Sequence, residues 1–128
     1  MNILLADEDS RVRSALKLAL SQEGGKPSFR ECTDMDSFLL QSEAEIPDLV
    51  ILDWDFPGKA AAVLLFGLKG LVCTTKVIVL GRRAEAEKYA LACGADAFFC
   101  KTDPPELLLA AIRIMFRDPR MDLFHASG

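Results

Sequence analysis

The sequence predicts one α/β domain built on a doubly wound parallel sheet. Five short apolar runs alternate in regular order with five segments of helical spacing. At 128 residues, about half of them hydrophobic, the chain suits a single domain with one sizeable core. Because right-handed crossovers join parallel strands, the intervening helices are expected to cover both faces of the sheet.

The apolar runs mark the expected strands. The first, third and fourth runs are apolar throughout, which is typical of strands covered on both faces. The second run mixes apolar and polar residues less regularly and is interpreted as an edge strand. The five predicted strands cover residues 2–6, 28–32, 48–52, 76–80 and 97–100.

The segments between these runs follow the helical repeat. Val12, Leu16 and Ala19 lie on one face of the first helix, which is expected to end before Gly24. Asp9 is expected to cap this helix, and Asp103 to cap the fifth, which has a proline in its first turn. The apolar segment 60–68 is too short to cross a bilayer and predicts a buried helix. The remaining helices are predicted at about 35–43, 59–71, 84–93 and 104–117.

Composition and charge exclude several classes of function. A net charge of -4 and a pI near 5.0 provide no basic surface for nucleic acid, so no nucleic-acid partner is expected for this domain. The amino terminus turns acidic after a few apolar residues, unlike a signal peptide, so we expect a cytoplasmic domain with no membrane partner. The four cysteines are far apart, which predicts reduced thiols rather than a zinc site.

Charged residues follow the ends of four predicted strands. In doubly wound sheets ligands bind beyond the carboxyl ends of the strands, so these side chains are expected to share one crevice. Clustered carboxylates repel unless a cation joins them, and Mg²⁺ with a phosphate suits such oxygen ligands. Asp53 is the best candidate for a nucleophile that forms an aspartyl phosphate. The strand ends carry the segments 7–9, 53–55 and 81–83, and Lys101.

Four segments resemble the receiver domains of two-component response regulators. They are NILLADEDSRVRSAL, PDLVILDWDFPG, KVIVLG and GADAFFCKTDPPELL, and their order and spacing match the family as well. The resemblance extends over residues 1–117. It implies the flavodoxin-like fold, with strand order 2-1-3-4-5, and leaves 118–128 as a C-terminal tail or the start of a linker.

The resemblance also implies roles for the residues at the strand ends. Asp7 and Glu8 correspond to the acidic pair that holds Mg²⁺, together with Asp53 and the backbone carbonyl of Asp55. Asp53 corresponds to the phosphoacceptor. Lys101 corresponds to the lysine that pairs with the phosphoryl group.

One part of the family pattern is missing at the end of the fourth strand. The family has Ser or Thr there, whose hydroxyl bonds the phosphoryl group, but this chain has Gly81. Phe98 falls where the family has its switch aromatic, although a core position is the simpler interpretation. Arg82 either turns towards Asp53 and supplies a positive charge, or points to solvent with Arg83.

The resemblance implies a signalling domain rather than an enzyme, with at most self-phosphorylation and self-dephosphorylation. Its partners would be a histidine kinase or a phosphotransfer protein. A homodimer or an output partner would bind the face made by helix 4, strand 5 and helix 5.

Three alternatives remain open at this point. A pseudo-receiver, which signals by protein interaction without phosphorylation, is favoured by Gly81 and Arg82. A haloacid-dehalogenase-type phosphatase is suggested by the DxD pair Asp53 and Asp55, although the residues after the pair match poorly and the motif follows the third strand instead of the first. A nucleotide-binding module is weaker still, because no glycine-rich loop follows the first strand.

Overall fold

The fold was analysed in a computed structural model, which describes residues 1–56, 61–71 and 74–116. Strands and helices alternate along the whole described chain, as the sequence predicts. The strands are β1 (Asn2–Ala6), β2 (Ser28–Cys32), β3 (Leu49–Asp53), β4 (Lys76–Gly81) and β5 (Ala97–Cys100). The helices are α1 (Ser10–Ser21), α2 (Met35–Ala44), α3 (Ala61–Leu71), α4 (Ala86–Ala92) and α5 (Pro105–Met115).

The five strands form one parallel sheet in the order β2-β1-β3-β4-β5. The predicted fold class and strand order are therefore confirmed, and β2 lies at an edge. All the carboxyl ends lie along one edge of the sheet, so the residues that follow β1, β3, β4 and β5 become spatial neighbours.

The sheet is buried on both faces because side chains alternate along each strand. Leu4, Val50 and Val79 belong to the core cluster that includes side chains of α2, α3 and α4. Ile3 and Ile51 belong to the second cluster, with side chains of α1 and α5. This two-sided burial is the reason that the central strands are apolar throughout.

Local signals set the ends of several helices. Asp9 caps α1, and its carboxylate accepts the Arg11 backbone N–H at 2.9 Å, as predicted. Asp34 caps α2 in a capping box with Ser37. Gly94 follows α4 at a φ of 113°, a conformation that favours glycine.

The predicted cap of α5 is wrong. The Asp103 carboxylate accepts the Cys100 backbone N–H at 2.9 Å, and Pro104 occupies the cap position without a side-chain hydrogen bond. Asp103 thus closes the turn after β5 instead of the turn that begins the helix. The fifth helix was also predicted to reach residue 117, which lies outside the described residues.

The third helix is present, but it is not buried all round as its apolar sequence predicts. Leu65 is fully buried against the sheet, whereas Val63 and Phe66 are 54% and 73% exposed. A helix packed on a sheet has only one face against it, so an apolar residue on the other face meets solvent. The predicted start of this helix at residues 59 and 60 lies outside the described residues.

Two further sequence expectations concern membranes and cysteines. Cys32, Cys93 and Cys100 are free thiols, and burial raises the pKa of Cys32 to about 12. Cys73 lies outside the described residues. Within the described ranges, no helix combines the length and the apolar character needed to cross a membrane.

Candidate functional site

An ion-paired triad lies at the carboxyl edge of the sheet. Lys101 Nζ is 3.1 Å from Asp7 Oδ2 and 3.3 Å from Asp53 Oδ1. The two carboxylates are buried, whereas the lysine side chain is 15% exposed. One ammonium therefore holds together two acidic side chains from β-strand ends that are 46 positions apart in the sequence.

The loop that carries Asp7 is fixed from both sides. The Asp7 N–H donates to the Cys32 carbonyl on the neighbouring strand at 3.2 Å, and Asp7 Oδ1 accepts the Asp9 N–H at 2.9 Å. Arg13 donates to the Asp7 backbone carbonyl at 2.5 Å and pairs with Glu31 at 2.8 Å. Sequence reasoning assigned Arg13 no role, and its place in the first turn after an acidic loop was the one available signal.

Asp53 is held by its own backbone loop. Its Oδ1 accepts the Asp55 N–H at 3.0 Å, while the Trp54 N–H donates to the Leu80 carbonyl of β4 at 2.8 Å. Asp53 Oδ2 accepts no hydrogen bond from any residue that the structure describes. The pKa of the Asp53 carboxyl is raised, mainly by burial and further by the negative charge of Asp7. The Asp55 N–H and Lys101 lower it, but by less.

Lys101 is placed by β4 and stabilised as a cation by its two partners. Its N–H donates to the Gly81 carbonyl at 2.9 Å, which fixes the start of the loop after β5. Burial lowers the pKa of Lys101, but the close, charged carboxylates of Asp7 and Asp53 outweigh this effect, so the pKa is raised.

The triad faces an open cleft of about 440 Å³. Glu8, Asp55 and Arg82 are exposed and line this cleft. The structure thus brings the predicted site residues to one place, with Asp7, Asp53 and Lys101 at the base and the exposed side chains at the rim. Ser10, the first residue of α1, also lines the cleft, and sequence reasoning missed it.

The fit of a divalent cation can be judged from the carboxylates. Among the described ranges, no three His, Cys, Asp or Glu side chains form a ready-made metal cluster. Mg²⁺, however, needs only one or two carboxylates together with water and phosphate oxygens. Asp7 Oδ2 is buried and, among the described residues, accepts no hydrogen bond of good geometry; its charged neighbour there is the Lys101 ammonium at 3.1 Å. The residues present therefore fit such a cation.

Gly81 is in close contact with Phe98. A Cβ built on Gly81 would lie 2.8 Å from two carbons at the outer end of the Phe98 ring. Phe98 is 8% exposed and belongs to the core cluster on the α4 side of the sheet. The ring therefore occupies the space that the side chain of a Ser or Thr would need at this position.

An aromatic pair extends the site towards α4. Trp54, which directly follows Asp53, packs edge-to-face against Tyr89 with 5.7 Å between ring centroids. Tyr89 is 61% exposed. Sequence reasoning missed this contact, because nothing local in the sequence pairs a loop residue with a helix residue 35 positions later.

The fold and the site define the class of protein. A doubly wound sheet with strand order 2-1-3-4-5, two buried carboxylates and a lysine at its carboxyl edge is the arrangement that the sequence resemblance implies. The family model for the response regulator receiver domain matches residues 3–113. The chain belongs to this family of two-component signalling domains, which are not classical enzymes.

Known relatives and solved structures agree with this assignment. The phosphate regulon transcriptional regulatory protein PhoB of Escherichia coli (strain K12) is 31% identical over 119 residues, which cover 90% of this chain and 51% of PhoB. The BeF3-activated N-terminal receiver domain of Klebsiella pneumoniae RstA superimposes with a TM-score of 0.81 at 26% identity. That match covers 92% of this chain and all of the other. The chain spans about half the length of the curated relatives it matches.

Proposed function

We propose that this receiver domain accepts a phosphoryl group on Asp53 from a histidine kinase or a phosphotransfer protein. The observation that carries the proposal is the Lys101 ammonium bridging two buried carboxylates at the base of an open cleft. Such an arrangement combines a nucleophile, a cation for phosphoryl oxygens and access for a donor. The BeF3-activated form of the RstA receiver domain is in line with this chemistry.

In the proposed reaction, an Asp53 carboxylate oxygen attacks phosphorus. A new O–P bond forms while the bond between phosphorus and the donor nitrogen or oxygen breaks, and the leaving group keeps the electron pair. Asp53 Oδ2 has no competing hydrogen bond within the described chain and is the oxygen proposed to attack. The Asp55 N–H holds Oδ1 and so orients the carboxylate.

Asp7, Glu8, Asp53 and the Asp55 carbonyl are the proposed ligands of Mg²⁺. When bound, this cation neutralises charge on the phosphoryl oxygens. Lys101 would have the same task, because its ammonium is 3.3 Å from Asp53 Oδ1 and its raised pKa keeps it charged across the physiological pH range.

The output switch is proposed to differ from that of other family members. Gly81 has no hydroxyl to bond the phosphoryl group, and Phe98 already fills the space beside it. This packing also favours a second candidate, a pseudo-receiver that signals through protein contacts alone. The haloacid-dehalogenase alternative has no support from the site, because Asp55 is exposed at the rim and the DxD pair lies at the end of the third strand instead of the first.

The proposed surface for a homodimer or an output partner is the face made by α4, β5 and α5. Tyr89 and Leu91 on α4 and Leu107 and Ile114 on α5 are large apolar side chains between 43% and 64% exposed. Exposed apolar groups of this size are typical of surfaces that bind other proteins.

Intact-mass measurement after incubation with Mg²⁺ and a small acyl phosphate donor tests the proposal. We expect one added phosphoryl group in the wild-type chain and none in Asp53→Ala. Asp55→Ala serves as the matched control, since it removes a neighbouring carboxylate but keeps the backbone groups. The absence of added mass with donor and Mg²⁺ in excess would instead favour the pseudo-receiver.

A further inference from the structure

We propose that Arg82 binds the phosphoryl group on Asp53 and takes the place of the missing hydroxyl at Gly81. The inference rests on the proposed function, since it concerns the same phosphorylated site. It assigns this chain a second cationic side chain for the phosphoryl group, beside Lys101.

The backbone places Arg82 between the two loops that carry the chemistry. β4 lies between β3 and β5 in the sheet. The Leu80 carbonyl accepts the N–H of Trp54, at 2.8 Å, and the Gly81 carbonyl accepts the N–H of Lys101, at 2.9 Å. Arg82 is the first residue after β4, so its side chain begins near both Asp53 and Lys101.

The side chain of Arg82 lines the same cleft as the triad. This cleft also contains Asp7, Asp53 and Lys101, and Arg82 is exposed at its rim. Arg82 borders a neighbouring cleft as well, together with Asp55 and Glu85. Within the described part of the chain it forms no ion pair, so its guanidinium is available to an incoming anion.

The charge of the phosphorylated site favours a second cationic side chain, in addition to Lys101 and the proposed Mg²⁺. Lys101 already shares its single charge between two carboxylates. Converting the Asp53 carboxylate to an acyl phosphate adds about one further negative charge. The Phe98 ring occupies the place of the missing hydroxyl and offers no hydrogen-bond donor. A guanidinium presents several donors in one plane and can bind two phosphoryl oxygens at once.

The test measures binding of beryllium fluoride, a phosphoryl mimic, by isothermal titration calorimetry with Mg²⁺ present. We expect Arg82→Ala to weaken binding about tenfold or more, because it removes charge-assisted hydrogen bonds. Arg82→Lys should recover part of the loss, since it restores the charge but not the planar donors. Arg83→Ala is the matched control: it removes the same charge one residue further on and should leave binding unchanged.

The same variants are then phosphorylated with the small donor and compared by intact mass. If the wild-type chain binds beryllium fluoride and is phosphorylated, but Arg82→Ala binds as tightly, Arg82 is not a phosphoryl ligand and only this inference fails. Tighter binding by Arg82→Ala, or phosphorylation of that variant alone, would show that Arg82 obstructs the cleft, which also overturns it. If neither the wild type nor any variant binds or is phosphorylated, the proposed function fails first and the inference with it.

Discussion

Replacing Gly81 with alanine is expected to destabilise the domain, although glycine-to-alanine changes in regular structure usually stabilise. The added Cβ would lie 2.8 Å from two ring carbons of Phe98, whereas ordinary contacts begin at 3.4 Å. The ring or the strand must therefore move by about 0.6 Å, in a core that is already closely packed.

The magnitude follows from two opposing effects. Overpacking of a core costs about 1–3 kcal/mol, and the lower entropy of the unfolded alanine chain offsets about 0.4–1 kcal/mol of it. The net loss in the free energy of unfolding is about 1–2 kcal/mol. For a chain of this length that corresponds to a fall in melting temperature of about 4–8 °C.

Thermal and denaturant unfolding measure the effect in four variants: Gly81→Ala, Gly67→Ala, Phe98→Leu and the double variant Gly81→Ala/Phe98→Leu. Gly67→Ala is the matched control, because Gly67 is exposed in the middle of α3 and a Cβ added there would meet no atom within 4 Å. At Gly67 the same glycine-to-alanine change should raise the free energy of unfolding by about 1 kcal/mol. In the double variant Gly81→Ala/Phe98→Leu the smaller side chain leaves room, so the combined loss should be smaller than the sum of the single losses.

A melting temperature raised in Gly81→Ala as in Gly67→Ala, or additive losses in the double variant, would show that the added Cβ does not conflict with Phe98. A positive result has a functional consequence. Gly81→Ser would add the hydroxyl found in other family members, but it carries the same Cβ and the same conflict with Phe98. Restoring that hydroxyl therefore requires a smaller residue at position 98.

Two further predictions concern the charges of the cleft. The pKa of Asp53 is raised in the folded state. Between the ordinary carboxyl pKa and the raised one, the native protein therefore binds more protons than the unfolded chain. The free energy of unfolding consequently falls as pH rises through that window. Denaturant unfolding from pH 3 to pH 7 should show the wild type losing stability relative to Asp53→Asn. The control variant Asp55→Asn should change with pH in parallel with the wild type. A constant difference in stability between the wild type and Asp53→Asn would contradict the effect of the buried carboxylate. Mg²⁺ should raise the melting temperature of wild type, by about 5 °C at ten times its Kd, because it binds the folded carboxylates only. Differential scanning fluorimetry should show no such shift in Asp7→Asn. The shift should be unchanged in Asp36→Asn, an exposed control on α2. A shift in Asp7→Asn equal to that of the wild type would remove Asp7 from the metal site.

Several features that the sequence predicted depend only on local pattern. The uninterrupted apolar runs 2–6 and 48–52 predicted strands buried on both faces, and β1 and β3 are such strands. The Asp9 cap was predictable because the first N–H groups of a helix have no partner within the helix, and a side-chain oxygen just before it can accept one of them. Asp103 showed the limit of that rule, since its carboxylate accepts the Cys100 N–H at the end of β5 instead of an N–H of α5.

The sequence by itself determined the order of the elements and the meeting of Asp7, Asp53 and Lys101. Each residue lies at the end of a strand or directly after it, and parallel strands bring their carboxyl ends to one edge whatever the side chains between them are. Only the tertiary structure decided that Phe98 fills the space over Gly81, that Trp54 packs on Tyr89 and that Arg13 holds the Asp7 loop. These contacts depend on side-chain rotamers and on distances between elements remote in the sequence, and no local periodicity encodes either.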